Sequence, residues 1–96
     1  MRQELALQIE ELSEREQSML EEIIAAYFFA KTKFAAFHCP HEGYAVTLEE
    51  LDETWDIIKR RTQTKNEPTG RNDPKLMLEE IKTVGAMALR FMVDLC

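Results

Sequence analysis

Apolar residues recur at Leu5, Ile9, Leu12, Met19, Leu20, Ile23, Tyr27, Ala30, Phe34 and Phe37. Projected at about 100° per residue they fall within one stripe that only Glu16 interrupts. This period predicts a long helix over about 4–38, near 45 Å at about 1.5 Å per residue. An alternative stays open, because Ser13-Glu-Arg-Glu16 could cap a second helix. In either case the stripe is longer than a chain of 96 residues can cover by itself, so part of it is expected to meet a partner chain. Phe28 adds a second apolar direction to the group Tyr27, Phe29, Phe34 and Phe37, as expected of a helix central to its bundle. Lys31 and Lys33 are interleaved there, either on a solvated helix edge or facing a phosphate.

The stretch 39–46 is expected to be a turn. Pro40 disfavours helix at Cys39, and Gly43 permits a positive backbone angle. His38, Cys39 and His41 bring zinc to mind, but zinc takes about four ligands and no second Cys or His cluster completes the set. Thr47 followed by Glu50 has the spacing of a capping box, so a second helix is predicted over about 47–61. Leu48, Leu51, Trp55 and Ile58 form its expected core stripe. Val46, Glu50, Glu53 and Ile57 project to roughly the opposite side. An acidic face with Ile57 in its middle is expected to be partly enclosed, whereas Glu49, Asp52 and Asp56 look solvated.

Residues 62–72 are polar, contain Pro68 and Gly70, and read as a loop. With Lys59, Arg60 and Arg61 before it, its Lys65 and Arg71 form the basic cluster of an acidic chain, either a solvated linker or a phosphate-facing lid. Asp73-Pro74 then reads as an N-cap followed by proline at the first helical position, opening a helix over about 73–95. Its buried face is expected to hold Met77, Ile81, Val84, Gly85, Ala88, Phe91, Met92 and Leu95, with Glu80 at the margin.

The chain therefore reads as one all-α domain, a small helical bundle completed by oligomerisation as a homo-dimer or tetramer. A formal charge of −6 argues against general nucleic-acid binding, which needs a basic face. No apolar run approaches the ~20 residues of a membrane span, and the first residues do not form a signal peptide. Two cysteines, Cys39 and Cys96, are too few for a disulfide framework, and a cytoplasmic location is expected.

Chemistry is concentrated in carboxylates. Glu50 and Glu53 stand one helical turn apart, and Glu80 falls at an apolar margin of the last helix. Carboxylates held together repel unless a cation lies between them, and a hard cation bound through oxygen suits the set. Magnesium would take a few of them and keep waters for substrate phosphates. The bland alternative is that Glu50 only caps its helix and the others face water.

The spacing Glu50-x-x-Glu53, then 26 residues, then Glu80 resembles the all-α nucleotide pyrophosphohydrolases of the MazG-like superfamily, whose pattern is a Glu-x-x-Glu pair followed by Glu-x-x-Asp. Neighbouring words are similar as well: Lys33-Phe34, His41-Glu-Gly-Tyr-Ala-Val46, Glu49-Glu-Leu-Asp-Glu53 with Trp55, and Ala86-Met-Ala-Leu-Arg-Phe91 resemble short MazG-like proteins of phages and bacteria. The resemblance covers roughly residues 30 to 95. It implies a magnesium-dependent, or manganese-dependent, hydrolase that converts a nucleoside triphosphate to the monophosphate and pyrophosphate. Glu50, Glu53 and Glu80 would hold the metal, and basic residues among Lys31, Lys33, Lys59, Arg60 and Arg61 would contact the nucleotide's phosphates. Thr83 stands where the pattern has its acidic residue, and a hydroxyl supplies no negative charge. The competing expectation is a degenerate relative that serves as an oligomeric or partner-binding module.

Overall fold

The long stripe breaks at Ser13, three residues before the Glu16 that interrupts it. In the computed structural model, which describes residues 2–63 and 73–96 and the side chains of 2–59 and 73–96, the first helix is α1, Arg2–Glu11, and the second is α2, Glu14–Lys33. Ser13 lies between them in extended backbone. Its hydroxyl accepts the Glu16 N–H at 3.1 Å, and the Glu16 carboxylate accepts the Ser13 N–H at 2.9 Å. The expected single helix over 4–38 is thus corrected at both ends of α2. The reciprocal cap satisfies N–H groups that a continuous helix would have bonded internally, and Phe34, extended, closes α2 by donating its N–H to Ala30 O. The Gln17 amide clasps the corner through Ile9 O and Leu12 O. No residue of α1 is buried.

The expected turn over 39–46 is also corrected, since α3 spans Pro40–Gln63. Proline at the first helical position lacks only an N–H that has no partner there in any case. The Gly43 N–H reaches Cys39 O at 3.1 Å, and the Glu42 carboxylate accepts the His38 N–H at 3.1 Å. Thr47 therefore does not start the helix. Its hydroxyl donates to Gly43 O one turn back, at 2.7 Å. Because α3 continues through Gln63, the first residues of the expected loop over 62–72 are helical, and the rest of that loop, with Lys65 and Arg71, lies outside the described residues. The last helix, α4, spans Pro74–Leu95, with the Asp73 side chain accepting the Lys75 N–H at 2.9 Å.

Packing converges on α4. It runs antiparallel to α3, with Gly43 against Phe91 and Leu95 at one end and Glu50 near Glu80 towards the other. It runs parallel to α2, where Gly85 lies on Ile23, Lys82 pairs with Glu22, and Phe37 just beyond α2 reaches Asp94. The buried cluster is Ala30, Phe37, Ala86 and Met87, flanked by Tyr27, Val46, Phe91 and Leu95.

A further correction concerns α3. The expected core stripe of Leu48, Leu51, Trp55 and Ile58 is exposed, and the side facing α4 buries Gly43, Thr54 and Ile57 instead. Gly43 shows why. A Cβ there would stand 2.6 Å from Phe91 Cδ2, so only glycine lets α4 come this close, and that contact fixes the rotation of α3. Among the described residues no helix is long and apolar enough to cross a membrane.

Candidate metal centre

Fixing α3 by its Gly43–Thr54–Ile57 side turns Glu50 inward and puts Glu53, one turn on, beside it. Glu80 arrives from α4, whose antiparallel course sets it level with this pair. One carboxylate oxygen from each of Glu50, Glu53 and Glu80 lies within 4.8 Å of the other two. Glu50 and Glu80 are half-buried and Glu53 is exposed. Below the pair, the Thr54 hydroxyl donates to Glu50 O at 3.1 Å, which satisfies a polar group that is only 6% exposed. Sequence spacing had nominated these carboxylates from two helices, and the fold brings them together.

Electrostatics at the centre follow from that crowding. Burial, then the neighbouring charge and hydrogen bond of Glu53, then the charges of Glu80 and Glu49, push the Glu50 carboxyl up to about 7. Such a group is nearly half protonated at neutral pH and gives up its proton readily to a cation. The donors are all carboxylate oxygens, which suits hard divalent cations and not the soft metals that prefer thiolate or imidazole.

Glu50 also lines a cavity of about 730 Å³ between α2 and α3, floored by α4. Ala25, Phe29 and Phe34 make its apolar wall, while Glu79, Lys82 and Thr83 continue the polar wall from Glu50. Thr83, where the sequence pattern has an acid, donates its hydroxyl to Glu79 O at 3.0 Å.

The cations are distributed differently from the sequence expectation. Lys31 stands over the Tyr27 and Phe28 rings and Lys33 over the Phe29 ring, and neither lines this cavity. Lys59 pairs with Asp56 at 3.2 Å, and the side chains of Arg60 and Arg61 lie outside the described residues. Among the described residues, the basic groups that line the cavity are Lys82 and Arg90. Lys82 bridges two helices through Glu22 at 3.0 Å and Glu79 at 3.1 Å, and those hydrogen bonds raise its pKa. Arg90, only 5% exposed, donates to Ala35 O at 2.7 Å and stacks 4.2 Å from the Phe37 ring centre. Sequence reasoning missed both. An arginine inside the apolar run Ala86–Phe91 was the available signal for Arg90, whereas for Lys82 nothing local announced Glu22.

His38, from the segment considered for zinc, places its Nδ1 3.3 Å from the Glu42 carboxylate. Comparison with known proteins finds no match for this chain, whether to a family, a curated protein or a solved structure.

Proposed function

We propose that the chain is a MazG-like, metal-dependent nucleoside triphosphate pyrophosphohydrolase that releases the monophosphate and pyrophosphate. The observation that carries this reading is the convergence of Glu50, Glu53 and Glu80 beside a cavity with one polar and one apolar wall. Neither half alone is specific, but a triphosphate on a nucleoside needs both.

In this reading the three glutamates hold magnesium or manganese, which when bound supplies Lewis acidity and lowers the pKa of a coordinated water. Glu50 would be the ligand that releases a proton when a cation is held. Exposed Glu53 would hold the cation from its solvent side, where water and phosphate oxygens have access. Phe29 and Phe34 offer apolar surface to the base or sugar, and Lys82 and Arg90 supply positive charge along the cavity for the phosphates. The net reaction would join a water oxygen to the α phosphorus and break that atom's bond to the αβ bridging oxygen, so that pyrophosphate leaves and the proton of the water passes to solvent.

Thr83 favours a second reading. Its hydroxyl is engaged within its own helix and brings no charge to the site, which supports a relative that binds nucleotide, or a partner, without turnover. Incubation with magnesium or manganese and a panel of nucleoside triphosphates, assayed for pyrophosphate, separates the two. Turnover that disappears in Glu53→Gln is the expected result. Folded protein that releases no pyrophosphate from any of them overturns the enzyme reading, and a Glu53→Gln variant with full activity overturns the metal assignment.

A further inference from the structure

We infer that a second, smaller cavity, set between the last turns of α2 and α4, is a site for inorganic phosphate that needs no metal. Its volume is about 160 Å³, and it is lined by Tyr27 and Lys31 from α2, by Phe34 and Ala36 from the connection to α3, and by Arg90 and Asp94 from α4. A water takes about 30 Å³ in the liquid, so the cavity has room for about five. That suits a tetrahedral oxyanion with part of its hydration, and it falls short of the roughly 300 Å³ at which pockets for larger organic ligands begin.

Charge separates the two cavities. The larger one sets Glu42, Glu49, Glu50 and Glu79 against Lys82 and Arg90, so an anion that arrives without a cation is repelled there. The smaller one sets Lys31 and Arg90 against Asp94, and the Asp94 Oδ2 already accepts the Phe37 N–H at 3.0 Å. In a chain of net charge −6, this excess of cations runs against the overall field.

The two cations differ in how they are held. Arg90, only 5% exposed, donates to Ala35 O at 2.7 Å and to Met87 Sδ at 3.5 Å, with its face on the Phe37 ring. A guanidinium carries five N–H groups, so these two bonds leave three, in the planar fork that matches an oxyanion. Lys31 is exposed, with its Nζ 6.0 Å from the Tyr27 ring centre. Among the described residues no carboxylate pairs with it, unlike Lys59 and Lys82. A buried fork and a mobile ammonium therefore meet at one small cavity. The C-terminal ends of α2 and α4 bring partial negative charge near and, with Asp94, oppose the two cations, which sets the affinity on the order of millimolar. Arg90 and Phe34 line both cavities and form their common wall, whereas Tyr27, Lys31 and Asp94 line the smaller one alone. The assignment thus stands apart from whatever the larger cavity binds.

NMR titration of the ¹⁵N-labelled chain with inorganic phosphate, in chelator and at constant ionic strength, tests it. The Arg90 Nε–H and the Ala36 amide should move along one saturating curve, while the amides of Glu50 and Thr83 stay in place. Lys31→Gln should weaken binding about tenfold. Lys33→Gln removes the same charge two residues away, outside both cavities, and should leave binding unchanged, whereas Asp94→Asn should tighten it. A nucleoside monophosphate, too large for the cavity, should not saturate these signals. Shifts that stay linear in phosphate, shifts centred on Glu50 and Thr83, or equal losses in the two lysine variants overturn the inference. Tighter binding of the monophosphate than of free phosphate overturns it as well. Should Asp94→Asn fail to fold, the two lysine variants, both at exposed positions, still decide.

Discussion

Replacing Glu50 by glutamine keeps the shape of the side chain, and its hydrogen bond to Glu53, while removing a charge that the fold makes costly. The Glu50 carboxyl is pushed up to about 7 from its ordinary 4.5. At about 1.4 kcal/mol per pH unit the full gap corresponds to about 3 kcal/mol, and because water reaches part of the cluster, screening leaves about 1–2 kcal/mol. The sign follows from which state holds the proton. Below the unfolded value of 4.5 the carboxyl is neutral in both states and nothing is lost. As pH rises towards 7 the unfolded chain ionises while the folded one resists, so the wild-type protein loses stability across this window. Glu50→Gln is exempt. In chelator, at one protein concentration, its melting temperature should exceed that of the wild type by about 4–8 °C per kcal/mol at pH 8 and match it at pH 4.5. Magnesium or manganese should reverse the order, since a cation at a hundred times its dissociation constant adds about 2.7 kcal/mol to the state that binds it, and the variant has lost a ligand. A gap of the same size at both pH values, or a variant less stable than the wild type in chelator at pH 8, would refute the reasoning.

Thr83→Asp adds a carboxylate to the polar wall of the cavity, one turn from Glu80. Calorimetry should show divalent cations binding about tenfold more tightly, and unchanged affinity would mean that position 83 does not reach the centre. Ser13→Ala removes half of the reciprocal cap and should cost about 1 kcal/mol, seen as faster hydrogen exchange in the first turn of α2. The Glu16 carboxyl, which the Ser13 N–H and hydroxyl hold below the usual range, should titrate higher in the same variant by NMR. Gly43→Ala drives a methyl to within 2.6 Å of Phe91 and 2.9 Å of Leu95, and urea unfolding should show a loss of about 1–3 kcal/mol.

Helical class was legible because apolar residues recur at the helical period throughout the chain, and the Ser13–Glu16 cap was visible as an alternative to the long helix. What misled was treating each helix alone. Leu48, Leu51, Trp55 and Ile58 are the most apolar line on α3, and in an isolated chain such a line belongs in the core. The rotation of α3 is decided instead by Gly43, whose absent side chain has no weight in a hydrophobic pattern. The carboxylate group was readable for the opposite reason: Ile57 beside Glu50 and Glu53 marked an acidic side that could not be wholly in water. Lys82 and Arg90 were not readable as cavity residues, because their partners Glu22 and Ala35 come from α2 and from the segment that follows it, more than fifty residues away in sequence.

Both α2 and α3 find their main packing partner on α4, and among the described residues no comparable packing joins them to each other. That topology makes the molecule cooperative through a single element. If α4 detaches, α2 loses Gly85 and Lys82 at the moment that α3 loses Phe91 and Leu95, and among the described residues no comparable packing holds α2 and α3 to each other. Slow-exchanging amides in α2 and α3 should therefore report one shared opening free energy, as if the two helices were in contact.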